Sequence, residues 1–513
     1  MIEDILAEIE ADTSLRTGEQ FAAVTARYFE STRSGKGQVS TPRSAEELAR
    51  RFDEEFPVDG RPVEEIIARL ERDVIPDANK YYHPMYMGHQ TSAPLPVGVW
   101  MESVIGALNQ SLAVSEMSPT ATAVEHRIVR WFSTLAGYGE ESGGTLTSGG
   151  TEANFTAMLA ARNSAIPNAW EEGIGADPPY VVYGEHAHYA VTRAIGQLGL
   201  GKRRGIPIAS RKFKMDTDLL LSALDRLEKE GKGVMAVVAT AGSTATGSFD
   251  DLETIGTICG ERNLWLHVDG AHGTSALLSS RPPKPFGGLR HSRSLAWDPH
   301  KMMLLPLAAG MVLTRNERDL DLAFAQQAPY LFHAGKSSRI IDQGVRSFQC
   351  SRRADVLKLW FVIQRFGSRG LGALYDHLCN TARLLYDAIE ERKDFENIHE
   401  PESNILCFRY VGNRSANGAG KSGNAEADRI DALNRELRPR YNKEGSGWIT
   451  ATVLEGRPVL RVTMMNPRTG IDHVNALLDG LAAKAKEIES GAELHPVPLA
   501  TGPGDDRGGR KNG

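Results

Sequence analysis

Between residues 96 and 365 the chain alternates short apolar runs with helical patterns, and that alternation leaves few folds open. The runs are YVVYG (180–184), VMAVVATAG (234–242), LWLHVDG (264–270), SLAW (294–297) and GMVLTR (310–315). Strands interleaved with helices imply a mostly parallel sheet covered by helices on both faces, an α/β fold. Such sheets bind ligands in the crevice beyond the carboxyl ends of their strands. The unusual polar residues of this chain follow those ends.

The flanks read differently. Residues 1–95 are polar and helical in pattern, without enough apolar positions for a core of their own. After 366 the runs ILCFRYV, WITATVL and PVLRVTMM suggest an antiparallel sheet, closed by the helix IDHVNALLDGLAAKAKEI (471–488). The expected division is a helical segment 1–95, a large domain 96–365, a small α+β domain 366–490 and a disordered tail 491–513. A chain of 513 residues exceeds one compact core, which agrees.

Composition excludes several classes. A net charge of −6 gives no basic footprint for nucleic acid. No apolar run approaches the roughly 20 residues of a membrane span. The acidic N-terminus does not resemble a signal peptide. Cys259, Cys350, Cys379 and Cys407 are scattered without metal-ligand spacing, so no metal site and a reduced, cytoplasmic setting are expected.

Four features then converge. TSGGTEAN (147–154) is a small-residue turn into an Ala-rich helix. Gly149 and Gly150 allow close approach, and the free N–H groups with Thr151 suit a phosphate; the same turn is also an ordinary helix start. HAHYAV places His188 just past the strand 180–184, where its ring can stack on a ligand. Asp269 ends an apolar strand and suits a protonated heterocyclic nitrogen, or else an ion pair with an arginine or a cap on the following turn. Lys301 in LAWDPHKMMLLP either reaches water or serves as a desolvated amine that forms a Schiff base. A phosphate cup, a stacking ring, an acid for a ring nitrogen and an amine together describe a site for pyridoxal 5′-phosphate.

At this point the chain resembles the group II pyridoxal-phosphate-dependent amino-acid decarboxylases, which have the fold type I, aminotransferase-like architecture. The resemblance runs from roughly residue 75 to 485, through TSGGTEAN, HAHYAV, ATAGSTATGSFDDL, WLHVDGAHG, DPHKMM, QCSRRADVLKLW and VLRVTMMNP. It implies that Lys301 carries the cofactor and Asp269 pairs with the pyridine nitrogen. His188 would stack on the ring, Ala271 would pack on its other face, and Thr244 would lie near the phenolic oxygen. Gly149, Gly150, Thr151 and His300 would hold the phosphate, with Asp298 beside them. Tyr330 would be the proton donor, and Arg461 would lie near the substrate carboxylate. Two positions depart from the family pattern, both expected close enough to tune the pocket: Gly270 replaces a frequent alanine, and His272 a frequent tyrosine or tryptophan.

The implied reaction is α-decarboxylation of an L-amino acid by a homodimer with a shared site. His89 and Gln90 in MYMGHQTSAP are the expected side-chain contacts. Gln90 and QCSRR resemble acidic-substrate members, favouring aspartate, glutamate or cysteine sulfinate. HPMYMGHQTSAP and the stretch 109–127 resemble 2,4-diaminobutyrate decarboxylases, the alternative. A decarboxylation-dependent aldehyde synthase is less favoured, because His188 and Tyr330 are both present. A desulfurase lacks its loop cysteine, and a regulator lacks a DNA-binding domain.

Overall fold

Seven strands form the large sheet, in the spatial order Gly143–Thr147, Gly310–Thr314, Ser294–Trp297, Trp265–Asp269, Val234–Thr240, Tyr180–Gly184, Gly205–Ile208. The computed structural model describes residues 1–280, 284–324, 342–412 and 423–491. Tyr330 and all but the first residue of the expected tail lie outside them. Gly310–Thr314 runs against both its neighbours and the other pairs are parallel. Six strands therefore share one direction. Thr147, Gly184, Thr240, Asp269 and Trp297 all end at the same edge, which is where the site forms.

The central strands are continuous apolar runs because helices cover both faces. Val234–Thr240 is buried from its second residue on, and Trp265–Asp269 is buried throughout. The five expected runs are all strands, whereas Gly143–Thr147 and Gly205–Ile208 were not expected. Both begin with glycine, which disguises a strand. Gly144 is needed there, since a Cβ would come within 2.6 Å of the Val312 carbonyl oxygen.

The helix Gly150–Ala165 follows the strand Gly143–Thr147 and lies across the sheet. Its buried face is largely alanine: Ala153 and Ala157 pack on Ala271, Ala296 and Val312. Small side chains bring the helix axis close, so its polar residues reach the strand ends.

A second core surrounds the five-stranded sheet, in the order Tyr86–Met87, Trp448–Leu454, Arg457–Thr463, Ile405–Tyr410, Phe395–Asn397. It is antiparallel as expected, except that Tyr86–Met87 joins Trp448–Leu454 in parallel. The long helix Val356–Glu390 links the cores. Val356, Leu359 and Val362 belong to the first, Ala382, Leu385 and Ile389 to the second. It bends at Gly367, whose φ of 63° lies in the left-handed region that favours glycine.

Under the first strand of the large sheet, Arg352 grips Glu125 with two hydrogen bonds of 2.7 and 2.9 Å. Their side chains are 5% and 0% exposed. Removing one partner of such a pair strands a buried charge. Glu125→Gln should lower stability by about 3–5 kcal/mol, measured as a shift of the urea midpoint at unchanged slope.

Candidate active site

The strand ends enclose a cavity of about 390 Å³, within the usual size of a small-ligand site. Its lining includes Gly149, Gly150, Thr151, His188, Thr244, Asp269, Ala271, Asp298, His300 and Lys301. The fold thus brings together every residue expected to hold the cofactor. Gln90 joins them, while His89 and Arg461 line an adjoining cavity that shares His188 and Thr244.

The phosphate end is built from the turn before the helix Gly150–Ala165. Gly149 is the N-cap and no side chain caps the helix. Ser148 does not cap it either; its hydroxyl donates to Glu152 at 2.6 Å. A Cβ on Gly150 would lie 2.7 Å from the Ala271 methyl, so only glycine fits between strand and helix. His300 Nδ1 accepts the Ala309 N–H at 3.1 Å. Burial lowers its pKa, and a neutral ring then carries its proton on Nε2, beside Gly149. The helix N-terminus and this ring N–H match the needs of a phosphate, while the Gly150 N–H itself donates to Asp298 Oδ2.

At the amine end, Lys301 Nζ lies 3.1 Å from Asp298 Oδ2 with its side chain 19% exposed. Asp298 Oδ2 also accepts the Gly150 N–H at 2.9 Å, and its Oδ1 has no partner among the described residues. The amine is therefore mostly withdrawn from water and ion-paired at the cavity wall, rather than reaching solvent freely.

His188 caps the helix Tyr189–Gln197, and its Nδ1 accepts the Ala190 N–H at 3.2 Å. Burial lowers its pKa, partly offset by Asp269. The capping bond turns the ring and leaves Nε2 without a hydrogen bond among the described residues. Asp269 Oδ2 accepts from Asn154 Nδ2 at 2.9 Å, and Oδ1 from the Ala271 N–H at 3.3 Å. No arginine pairs with it among the described residues, while the Ala271 N–H contact is the turn cap that is the other plain reading of this carboxylate.

The two departures from the family pattern have local reasons. A Cβ on Gly270 would lie 1.9 Å from Thr274 Oγ1. His272 donates from Nε2 to Asn404 Oδ1 at 2.7 Å, because the Asn404 amide nitrogen is committed to the Met464 carbonyl at 2.8 Å. That leaves His272 Nδ1 as a buried acceptor without a partner among the described residues.

Sequence reasoning missed Ser148, Asn154, Thr240, Gly242 and Leu307 as lining residues, whereas His272, expected close to the pocket, does line it. Thr240 and Gly242 were legible, since they end and follow an expected strand. Asn154 lay inside a quoted motif, but only the helix packing shows its contact. In QCSRR, Gln349 meets Glu152, Arg352 grips Glu125 and Arg353 faces Glu102. Neither arginine lines the cavity.

The profile of the pyridoxal-dependent decarboxylase conserved domain matches residues 45–411. This chain belongs to that family. It is 31% identical over 440 residues to the L-2,4-diaminobutyrate decarboxylase of Rhizobium meliloti (strain 1021), covering 85% of this chain and 84% of the relative. It is 32% identical over 373 residues to the cysteine sulfinic acid decarboxylase of Rattus norvegicus, covering 72% and 75%. The crystal structure of mouse CSAD superposes with a TM-score of 0.85 at 27% identity, covering 92% of this chain and 99% of that one. The protein is therefore a pyridoxal-phosphate-dependent amino-acid carboxy-lyase of fold type I. No described helix is long and apolar enough to cross a membrane.

Burial pushes the His272 pKa from 6.5 down to about 3. A depressed imidazole contributes stability that is complete above pH 6.5 and is lost as pH falls toward the folded value, because the unfolded chain takes up the proton. Relative to the non-titrating variant His272→Gln, the native protein should lose up to about 1.4 kcal/mol per pH unit below that point. Urea midpoints of both proteins at successive pH values measure it; parallel profiles would count against a neutral, buried His272.

Proposed function

We propose that the protein removes the α-carboxylate of an acidic L-amino acid, namely aspartate, glutamate or cysteine sulfinate, giving the amine and CO2. The observation that carries this is Arg461. The residue is 5% exposed, and no carboxylate pairs with it among the described residues. Nε donates to the Ala245 carbonyl at 3.1 Å and Nη1 to Thr450 Oγ1 at 3.2 Å, while Nη2 has no partner there. A guanidinium held this way, in the cavity that adjoins His188, is a receptor for an anion.

Bound pyridoxal phosphate would supply the electron sink for the scissile carbon–carboxylate bond. The chain's own residues do the rest. Lys301 would hold the cofactor through Nζ, and Asp269 would hold the proton of its ring nitrogen. Gly149, Gly150, Thr151 and His300 would hold the phosphate, while Ala271 and His188 would confine the ring and Thr244 would lie near its oxygen. Arg461, with His89 and Gln90, orients the substrate, and this orientation selects which bond breaks. Tyr330, outside the described residues, is the proton donor that the family resemblance assigns.

The protein is further proposed to act as a homodimer. The helix Ile2–Asp12 buries none of its residues, and Ile2, Ile5, Leu6 and Ile9 are exposed along it. A second copy would cover that face.

One observation favours 2,4-diaminobutyrate instead: the bare acceptor His272 Nδ1 in the cavity lining could receive a side-chain ammonium. The similarity to the Rhizobium meliloti enzyme points the same way. Release of CO2 and amine from a panel containing aspartate, glutamate, cysteine sulfinate and 2,4-diaminobutyrate decides. We expect the highest kcat/KM with one of the first three, and a fall of at least about 30-fold for that substrate in Arg461→Leu. Preference for the diamino acid would reject the acidic reading. Borohydride reduction and peptide mapping should place the cofactor on Lys301.

A further inference from the structure

The Asp269 carboxylate is the last member of a longer polar chain. Trp265, His267 and Asp269 lie on one face of the strand Trp265–Asp269, since side chains repeat every second residue. Ser294 is the register partner of His267 on the next strand. Asn154 reaches the same face from the helix Gly150–Ala165. Trp265 Nε1 meets Ser294 Oγ at 2.8 Å, Ser294 Oγ meets His267 Nδ1 at 2.8 Å, and His267 Nε2 meets Asn154 Oδ1 at 2.8 Å. Asn154 Nδ2 completes the chain to Asp269 Oδ2 at 2.9 Å. All five side chains are buried.

The two ends fix every proton between them. An indole N–H can only donate, and an ionised carboxylate can only accept. Asn154 must turn its NH2 toward Asp269, so its carbonyl oxygen faces His267. His267 must then carry its proton on Nε2. Burial lowers its pKa to about 4 and keeps the ring neutral, so Nδ1 is a bare acceptor and takes the Ser294 hydroxyl proton. The Ser294 oxygen accepts the indole N–H. Turning the Asn154 amide around would set its oxygen against the carboxylate.

We propose that His267 and Asn154 are positioning residues for the cofactor, forming with Ser294 and Trp265 a one-way hydrogen-bond chain that holds the Asp269 carboxylate in a single orientation. This rests on the reading of Asp269 as the partner of the pyridine nitrogen. Neutrality of the chain is the working feature. A cationic His267 would give Asp269 a counter-charge of its own, and less of its field would reach the cavity. Neutral dipoles fix the carboxylate without cancelling it.

The test uses the apo protein and measures the dissociation constant for added pyridoxal phosphate. Asp269→Ala sets the full loss. His267→Phe and Asn154→Ala should each weaken binding about 10- to 100-fold, the scale seen when the outer partner of a binding residue is removed. In the Asp269→Ala background neither should weaken it further. His267→Gln, whose amide can still donate to Asn154, should recover much of the affinity. Nitrogen-15 histidine spectra of the unmutated apo protein give a second measure that does not depend on a variant folding. The resonance missing from His267→Gln should show a neutral Nε2–H ring that does not titrate between about pH 5.5 and 8.5. A cationic or Nδ1–H ring, or losses that add in full to that of Asp269→Ala, would overturn the chain. If Asp269→Ala weakens binding but the His267 and Asn154 variants do not, the chain alone fails. If Asp269→Ala itself binds like the native protein, the reading of Asp269 fails with it.

Discussion

A carboxylate at the end of an apolar strand is tolerable only if donors reach it before water does, and the Asp269 contacts organise much of the molecule. The Asn154 amide must approach within hydrogen-bonding distance, so the helix Gly150–Ala165 must lie close to the sheet. That requires alanine along its buried face and glycine at 150, where a methyl would strike Ala271. The same close approach aims the helix N-terminus at the cavity, where an anion is favoured. One packing constraint thus supplies both the donor for the carboxylate and the cup for a phosphate.

Histidines contribute a second organising pattern. His188, His267, His272 and His300 all have their pKa lowered, burial being the largest cause in each. A neutral imidazole offers one donor and one acceptor, and which nitrogen is which depends on its partners. Backbone N–H groups occupy Nδ1 of His188 and His300. Amide oxygens occupy Nε2 of His267 and His272. The first pair therefore offers N–H groups at the cavity, and His272 offers a lone pair. A low-dielectric surround lets these dipoles act without adding charge.

The architecture was legible because it depends on local pattern. Apolar runs interleaved with helices dictate parallel strands, and residues just past strand ends fall into one crevice whatever the details. Lys301, Asp269 and His188 could be read this way, each from its distance past a run. The reversed direction of Gly310–Thr314 was not legible, because an apolar strand buried on both faces carries no mark of its direction. Asn154 required a contact across 269 − 154 = 115 residues, which no spacing rule delivers. Trp265, His267 and Asp269 did carry a signal, the period of two along LWLHVDG. It was obscured because the run was read as a uniformly apolar strand with an acid at its tip.

The groups left unpaired around the site bear on substrate choice, and they differ in what leaving them unpaired costs. Arg461 Nη2 and Gln90 Nε2 are donors without partners among the described residues, and His272 Nδ1 is an acceptor without one. An uncharged imidazole nitrogen that lacks a hydrogen bond costs on the order of 1–3 kcal/mol. A buried guanidinium without a counter-charge costs more, because its charge as well as its N–H group is removed from water. The positive charge of Arg461 also reaches His272, where it disfavours a second cation. The carboxylate that every α-amino acid carries can relieve the larger penalty, so side-chain choice turns on the field. An extra carboxylate adds to a favourable field, whereas an extra ammonium relieves the smaller penalty but works against that field. The field around Arg461 therefore favours an acidic side chain, even though a diamino acid would find an acceptor waiting.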